Sequence, residues 1–294
     1  MTAQPDYALA VHGGAGAKPG RDYHEVETHL AHLIRRGESM LTDGAPALDT
    51  VEAMVTDMET SGLYVAGRGS APNAAGYVEM DAAIMDGHAG RAGAVAGVRD
   101  VRSPVEAARA VLDRTPHVLL AGVGADHFCA EAGIERISDP QTWYRLPVGV
   151  ERSEIHTDAL AHGTVGAVAL DAQGRLAAAT STGGLFGKRE GRIGDTPLIG
   201  SGTWADTSVG VSCTGLGEYF MLSAVAHDVS ARLRYAGAPL WEAVNASLNQ
   251  VAERGGDGGL IAIDRQGEIV TDYNSQGMKR ASVKSGKPVS VRIF

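Results

Sequence analysis

Two blocks of the chain carry apolar residues at helical spacing. Val26, Leu30, Leu33, Ile34 and Met40 mark a helix over 24–41, and Val51, Met54, Val55 and Met58 a second over 47–59. Ahead of them, residues 7–11 form an apolar run of strand length. It enters a glycine-rich stretch, His12-Gly13-Gly14-Ala15-Gly16-Ala17, which reads as a loop. Residues 78–87 and 90–98 read as a strand and its hairpin partner. Ser103-Pro104 supplies a helix N-cap and a proline at the first helical position, for a helix to about residue 112. A short strand over 118–121 and a helix over 124–133 follow. Residues 136–162, with Asp139-Pro140, Pro147 and Gly149, have weak periodicity and read as an exposed, mobile connection.

Beyond that connection the strands come close together. Residues 164–171 and 175–181 form a hairpin around Ala172-Gln173-Gly174, and 207–214 is a further strand. One long helix is expected over 217–235 and another over 239–252. A last hairpin joins 260–264 to 268–271 around Arg265-Gln266-Gly267. Strands come in runs and helices in runs. That order implies an α+β fold of stacked antiparallel sheets with helical layers outside, not a parallel doubly wound sheet.

Composition narrows the class. The 294 residues suffice for a sizeable core, and 44% hydrophobic with 21% charged residues is ordinary for a soluble globular protein. A net charge of −9 with no basic cluster argues against a nucleic-acid partner. No apolar run is long enough to span a bilayer, and residues 1–7 lack a signal-peptide pattern. Two cysteines, Cys129 and Cys213, make a disulfide framework improbable and suit a reducing cytoplasm. There is no tandem repeat and no phosphate-binding loop. Gly184-Leu185-Phe186-Gly187-Lys188 is too short for one, and Arg189 stands where a hydroxyl is required.

The candidate chemistry centres on Gly163-Thr164-Val165-Gly166. A threonine hydroxyl needs a base, and a chain-terminal amine, titrating near ~7.7–8.0, is one at working pH. A cut between Gly163 and Thr164 would put nucleophile and base on one residue. The same four residues also suit a plain strand entry, so the rest of the chain must decide. His24, His29 and His32 share no metal-binding pattern and read as solvated or partly covered. Asp81, in an apolar run, is either a hydrogen-bonded structural carboxylate or part of a site.

Several motifs in order resemble the plant-type L-asparaginases, or isoaspartyl peptidases, of the N-terminal nucleophile hydrolases. They are His12-Gly13-Gly14-Ala15-Gly16, Glu79-Met80-Asp81-Ala82 through Met85-Asp86-Gly87, Gly163 to Val168 and Thr180-Ser181-Thr182-Gly183-Gly184. Further on come Gly191-Arg192-Ile193-Gly194-Asp195-Thr196-Pro197, Ser212 to Glu218, Gly258 to Ala262 and Asn274 to Met278. The resemblance implies one four-layer αββα domain over 1–294. It implies self-cleavage into 1–163, ending in the connection 136–163, and 164–294, paired as a homodimer of αβ heterodimers. It makes Thr164 the nucleophile, oriented by Thr182, with Thr214 and the Gly215 backbone as the oxyanion hole. Arg192 would grip the substrate α-carboxylate, Asp195 its α-ammonium, and the Gly217 backbone the aspartyl part. No cofactor serves the chemistry. A structural sodium ion would be held by the backbone carbonyls of Met58, Glu59, Ser61, Tyr64, Ala66 and Arg68.

The chain departs from the family pattern at Tyr64-Val65-Ala66-Gly67-Arg68-Gly69. Many members carry Asn where Val65 stands, and Arg68 would add a charge near the nucleophile. The expected substrate is a β-aspartyl dipeptide, with L-asparagine second. A narrower possibility is β-aspartyl-arginine from the storage polymer cyanophycin. Glycosylasparaginase-like amidase activity and non-catalytic amino-acid binding on the same fold are the alternatives.

Overall fold

A computed structural model of the protein describes residues 7–151 and 163–294. Much of the expected connection, 152–162, and most of the N-terminal segment, 1–6, lie outside the described residues. The first sheet contains β1 (Ala8–Ala15), β2 (Met80–Asp86), β3 (Arg91–Val98), β4 (Leu119–Ala121), β5 (Val165–Leu170), β6 (Leu176–Thr182), β11 (Met278–Lys284) and β12 (Ser290–Arg292). Their order is β12-β11-β1-β5-β6-β2-β3-β4. The second sheet contains β7 (Thr203–Ala205), β8 (Val209–Gly215), β9 (Gly258–Asp264) and β10 (Ile269–Tyr273), in the order β10-β9-β8-β7. Neighbouring strands are antiparallel except for β3 and β4.

Helices α1 (His24–Thr42), α2 (Ala47–Ser61) and α3 (Pro104–Arg114) cover the outer face of the first sheet. Helices α4 (Gly122–Glu131) and the short α5 (Pro140–Trp143) follow in the chain. Helices α6 (Gly217–Ser223), α7 (Val225–Ala231) and α8 (Leu240–Glu253) lie with the second sheet. The four layers are helix, sheet, sheet and helix, as the order of elements implied.

The alternation of side chains along each strand sorts the core into three apolar layers. Leu9 and Val11 of β1, Ala167 and Ala169 of β5, and Ala177 and Ala179 of β6 face helices α1–α3. The intervening Ala8, Ala10, Val168, Leu170, Leu176 and Ala178 face the other sheet, where they meet Ile261 and Ile263 of β9. Val211, Cys213, Leu260 and Ala262 face helices α6–α8. Both faces of these strands are buried, which is why they read as unbroken apolar runs.

Several expectations change. Residues 12–15 are not a loop: β1 continues through them, with a register shift between His12 and Ala15 against β11. The helix expected over 217–235 is broken at Ala224, whose φ of 46° is left-handed, and it ends in a π turn over 232–236. Ser103 does not cap α3. Its hydroxyl donates to the buried Glu59 carboxylate, and Glu59 itself accepts the Val105 N–H at 3.0 Å. The connection is not wholly open either. It contains α5, and the Arg145 and Val148 N–H groups bond the Arg68 and Leu63 carbonyls at 3.0 and 3.1 Å. Strands β7, β11 and β12 escaped the pattern because two of them span only three residues and β11 alternates with charge. Cys129 and Cys213 are both free and buried. Among the described residues no helix is long and apolar enough to cross a membrane.

Helix α3 sits directly on β3 because Gly93 has no side chain: a Cβ there would lie 2.2 Å from the Ala108 carbonyl oxygen and 2.5 Å from the Leu112 nitrogen. Gly93→Ala should therefore lower the thermal unfolding midpoint, since overpacking costs ~1–3 kcal/mol or more where backbone must move. Gly124→Ala, in open space on α4, should leave it unchanged or raise it slightly through the ~0.5–1 kcal/mol helix preference for alanine. Equal midpoints for the two variants would contradict the seating of α3 on the sheet.

Candidate active site

The end of the sandwich that carries Thr164 is where the layer between the sheets turns polar. Thr164 shares its face of the chain with Gly166, Val168 and Leu170, so it points between the sheets. Along β6 the inward positions run Leu176, Ala178, Thr180, Thr182, and along β8 Gly210, Ser212, Thr214. His12 follows Ala8 and Ala10 on β1. These groups bond to one another across the gap. The His12 Nε2 lies 3.0 Å from the Ser212 hydroxyl, which lies 2.7 Å from that of Thr180. Thr203 lies 2.8 Å from Thr180. Burial lowers the His12 pKa to about 3, so the imidazole is neutral at working pH.

Thr164 hydrogen-bonds its neighbour Thr182. The Thr164 hydroxyl donates to Thr182 Oγ1 at 3.3 Å, the Gly184 N–H donates to the same oxygen at 2.9 Å, and Thr182 donates to the Gly163 carbonyl at 2.7 Å. One proton on Thr182 is thus committed to the carbonyl of the Gly163–Thr164 bond. Its lone pairs receive Thr164. This arrangement polarises that carbonyl and fixes the orientation of the Thr164 hydroxyl.

Gly163, Thr164, Thr182, Arg192, Asp195 and Gly215 line one narrow cleft of about 10 Å³, together with Leu185. Asp195 is 4% exposed, and its Oδ2 has no hydrogen-bond partner. Burial pushes its pKa up to about 6, against the pull of its own backbone N–H and of Arg192. A buried carboxylate oxygen without a partner, aligned with the cleft wall, suits an ammonium group. Arg192 is not free: its Nε and Nη2 edge is gripped by Glu218 at 2.8 and 2.7 Å. That bidentate contact holds the Glu218 carboxyl below its usual range. The other end of the fork, Nη1, lies against Gly194 in the cleft lining.

Thr214 and Gly217 do not line the cleft but adjoin it. Thr214, fully buried, accepts the Ala15 N–H at 3.1 Å, so its own proton is available to donate. Gly215 has φ 151°, and a Cβ there would lie 2.4 Å from the Asp257 carbonyl oxygen. The backbone of Gly217 packs against Asp195, whose Oδ1 would be 2.7 Å from an added Cβ.

The departures from the family pattern separate. Val65 packs against Gly163, with an added Gly163 Cβ only 2.8 Å from Val65 Cγ2, and the Val65 carbonyl accepts the Gly183 N–H at 2.9 Å. Arg68 points elsewhere. Its Nε donates to the Trp143 carbonyl at 3.1 Å and its guanidinium lies 5.3 Å from the Trp143 ring centre. The expected charge near the nucleophile is therefore turned away, held by a cation–π contact and a backbone acceptor.

The carbonyls expected to hold sodium lie in a tight turn at the C-terminus of α2. A Cβ on Gly69 would meet the Tyr64 carbonyl oxygen at 1.9 Å and one on Gly67 the Glu59 carbonyl oxygen at 2.5 Å. The Met58, Ala66 and Arg68 carbonyls each accept one hydrogen bond, from Ser61, Gly69 and Arg145, and keep a second lone pair. An all-oxygen set at a helix C-terminus fits a hard cation. None of these residues lines the cleft.

Two groups carried no signal in the sequence reading. Glu218 resembles any acidic residue in a first helical turn. Lys188 is buried behind Gly184, where its Nζ donates to the Glu79 carbonyl at 2.9 Å. The histidines are solvated or partly covered, as expected: His24 and His32 are exposed, and the half-buried His29 lies 2.9 Å from the Tyr64 hydroxyl. Asp81 is structural at one oxygen, which accepts the Gly97 N–H at 2.8 Å.

The comparisons with known proteins agree with this geometry. The model of the asparaginase family matches residues 5–293. The isoaspartyl peptidase of Salmonella typhimurium is 41% identical, over 97% of this chain and 98% of that protein. The isoaspartyl peptidase of Escherichia coli is 40% identical, over 97% and 95%. The isoaspartyl peptidase/L-asparaginase of Bos taurus is 40% identical, over 95% and 94%. With a threonine-centred cleft between two stacked sheets, the chain belongs to the isoaspartyl peptidase/L-asparaginase family of threonine-nucleophile amidohydrolases.

Proposed function

We propose that the protein is a self-processing isoaspartyl dipeptidase that releases L-aspartate, with L-asparagine as a second substrate. The observation that carries this reading is the Thr164–Thr182–Gly163 hydrogen-bond chain. In the precursor, Thr164 Oγ1 attacks the Gly163 carbonyl carbon, and the acyl group passes from nitrogen to oxygen. Water then hydrolyses the ester, leaving a Gly163 carboxylate and a free Thr164 amine. The products, 1–163 and 164–294, stay together in one αββα domain and pair as a homodimer of αβ heterodimers.

In turnover the Thr164 amine takes the hydroxyl proton as Oγ1 attacks the aspartyl side-chain carbonyl. Thr214 and the Gly215 N–H receive the oxyanion, a contribution for which each donor is typically worth ~2.7–4 kcal/mol. The amine of the leaving residue departs with the proton from Thr164, and water releases L-aspartate from the ester. Arg192 holds the α-carboxylate through the edge that Glu218 leaves open, Asp195 holds the α-ammonium, and the Gly217 backbone supports the aspartyl part. Every step uses groups of the chain, so no cofactor enters the chemistry. A sodium ion on the carbonyls of Met58, Glu59, Ser61, Tyr64, Ala66 and Arg68 would brace the turn that carries Val65. β-Aspartyl-arginine, suggested by the altered Val65/Arg68 loop and the acidic chain, loses the Arg68 part of that support, because this side chain is turned onto Trp143.

Intact-mass measurement of denatured wild-type protein over days should give two fragments meeting at Gly163/Thr164, while Thr164→Ala stays whole. A wild-type chain that remains uncut would sink the self-processing reading.

The pH profile tests Asp195. It must be ionised to pair with an ammonium, and burial raises its pKa to about 6, so activity is lost as pH falls through that value. The Thr164 amine, needed neutral, adds a loss below ~7.7–8.0. The slope of log kcat/KM against pH should therefore steepen from one proton to two below about pH 6. A slope that stays at one down to pH 5 would remove Asp195 from this role.

Sodium should be visible without any assay of activity. At equal ionic strength, sodium chloride should raise the thermal midpoint above that in choline chloride, since saturation at ~100 times Kd contributes about 2.7 kcal/mol. Identical midpoints would discard the sodium site.

A further inference from the structure

The lining of the cleft is chemically mixed. Arg192 and Asp195 are its charged members, suited to the zwitterionic head of an aspartyl unit. Gly163 and Leu185 also line it, and Gly163 packs on Val65, part of a small apolar cluster with Ala71 and Phe186 on which Leu146 and Val150 pack. Val65 and Phe186 are buried in the uncut chain, and Gly163 is in contact with Val65.

We propose that the space beside Val65 and Phe186, occupied by Gly163 before cleavage, receives the side chain of the leaving residue, and that it selects β-aspartyl dipeptides with an apolar second residue. This inference rests on the isoaspartyl reading above. The placement follows from the path of the proton. The leaving amine takes its proton from the Thr164 nitrogen, so it must come within ~2.6–3.2 Å of that atom. The Gly14 backbone packs against the Gly163–Thr164 bond, an added Gly14 Cβ lying 3.1 Å from the Thr164 nitrogen and 3.3 Å from Gly163 Cα. The position on the Thr164 nitrogen that Gly163 holds is filled until the chain is cut. Self-cleavage therefore frees the position that a leaving amine needs, and the side chain attached to that amine faces the wall that Gly163 had faced.

That wall is apolar because Val65, Ala71 and Phe186 form it and because Arg68 is drawn away onto Trp143. A charged leaving side chain would lose water there without a partner. A branched apolar one would displace water from Val65 and Phe186. Free asparagine, whose leaving group is ammonia, gains nothing from the pocket.

The test is the release of L-aspartate by fully cleaved enzyme from β-Asp-Leu, β-Asp-Gly and β-Asp-Arg. The wild-type kcat/KM for β-Asp-Leu should exceed that for β-Asp-Gly and for β-Asp-Arg by about tenfold or more, the discrimination a hydrophobic pocket gives for an added apolar group. Val65→Asn, and the shape-conserving Val65→Thr, should each reduce the Leu/Gly ratio several-fold. A ratio of two rates on one sample does not depend on what fraction of it has matured. Similar kcat/KM for leucine and glycine leaving groups in the wild type, or a ratio unmoved by both Val65 variants, overturns the pocket while leaving the isoaspartyl reading intact. No release from any of the three by cleaved enzyme overturns both.

Discussion

The site depends on the pleat of the strands. Because side chains alternate, the residues of β5, β6 and β8 that reach between the sheets are fixed by parity, and near Thr164 they are Gly166, Thr180, Thr182, Ser212 and Thr214. A slip of one residue in β5 would turn Thr164 toward the helices and bring Val165 into the cleft. The apolar layer below prevents such a slip. Ala8, Ala10, Val168, Leu170, Ile261 and Ile263 fill the gap, and a one-residue slip of β5 would put Ala167 and Ala169 where Val168 and Leu170 pack, leaving voids. The small residues let the sheets approach, and that approach brings the hydroxyls of β6 and β8 within 2.7 Å of each other.

Close approach has an electrostatic consequence. With little room for water, buried polar groups need partners from the chain or the substrate. His12, Ser212, Thr180 and Thr203 satisfy one another and keep the centre of the sandwich uncharged. Asp195 lines the cleft with one oxygen left unmatched; His12 Nδ1 and one oxygen of Asp81 are also buried without a partner. Glu218 has the complementary effect on Arg192. By taking two donors of the guanidinium it fixes the plane of the fork, so that the remaining edge is aimed before a ligand arrives.

The Gly163–Thr164 bond is embedded in the same framework. Thr182, which accepts from the Thr164 hydroxyl, also donates to the carbonyl of Gly163, so one hydroxyl joins the two residues. The turn that carries Val65 is tied to β6 through Gly183 and to the connection through Arg145 and Val148.

Much of this was legible in one dimension. Helices α1, α2, α3 and α8 follow from apolar spacing, and the paired strands around Gln173 and Gln266 follow from short turns between apolar runs. The ordered motifs marked Thr164, Thr182, Arg192, Asp195 and Gly215, which meet in one cleft though they come from different strands and loops. What the sequence determined by itself is thus what periodicity and local chemistry encode: which segments are strands, which face of each is apolar, and which residue types carry reactive groups. Only the tertiary structure decided that residues 12–15 join a sheet, that Glu59 rather than Ser103 receives the N-terminus of α3, that Glu218 holds Arg192, and that Val65 faces the cleavage site while Arg68 turns to Trp143. Those outcomes concern glycine-rich turns and long polar side chains. Their direction follows no repeat along the chain and is set by distant partners, 75 positions away for Arg68 and Trp143 and farther still for Ala15 and Met278.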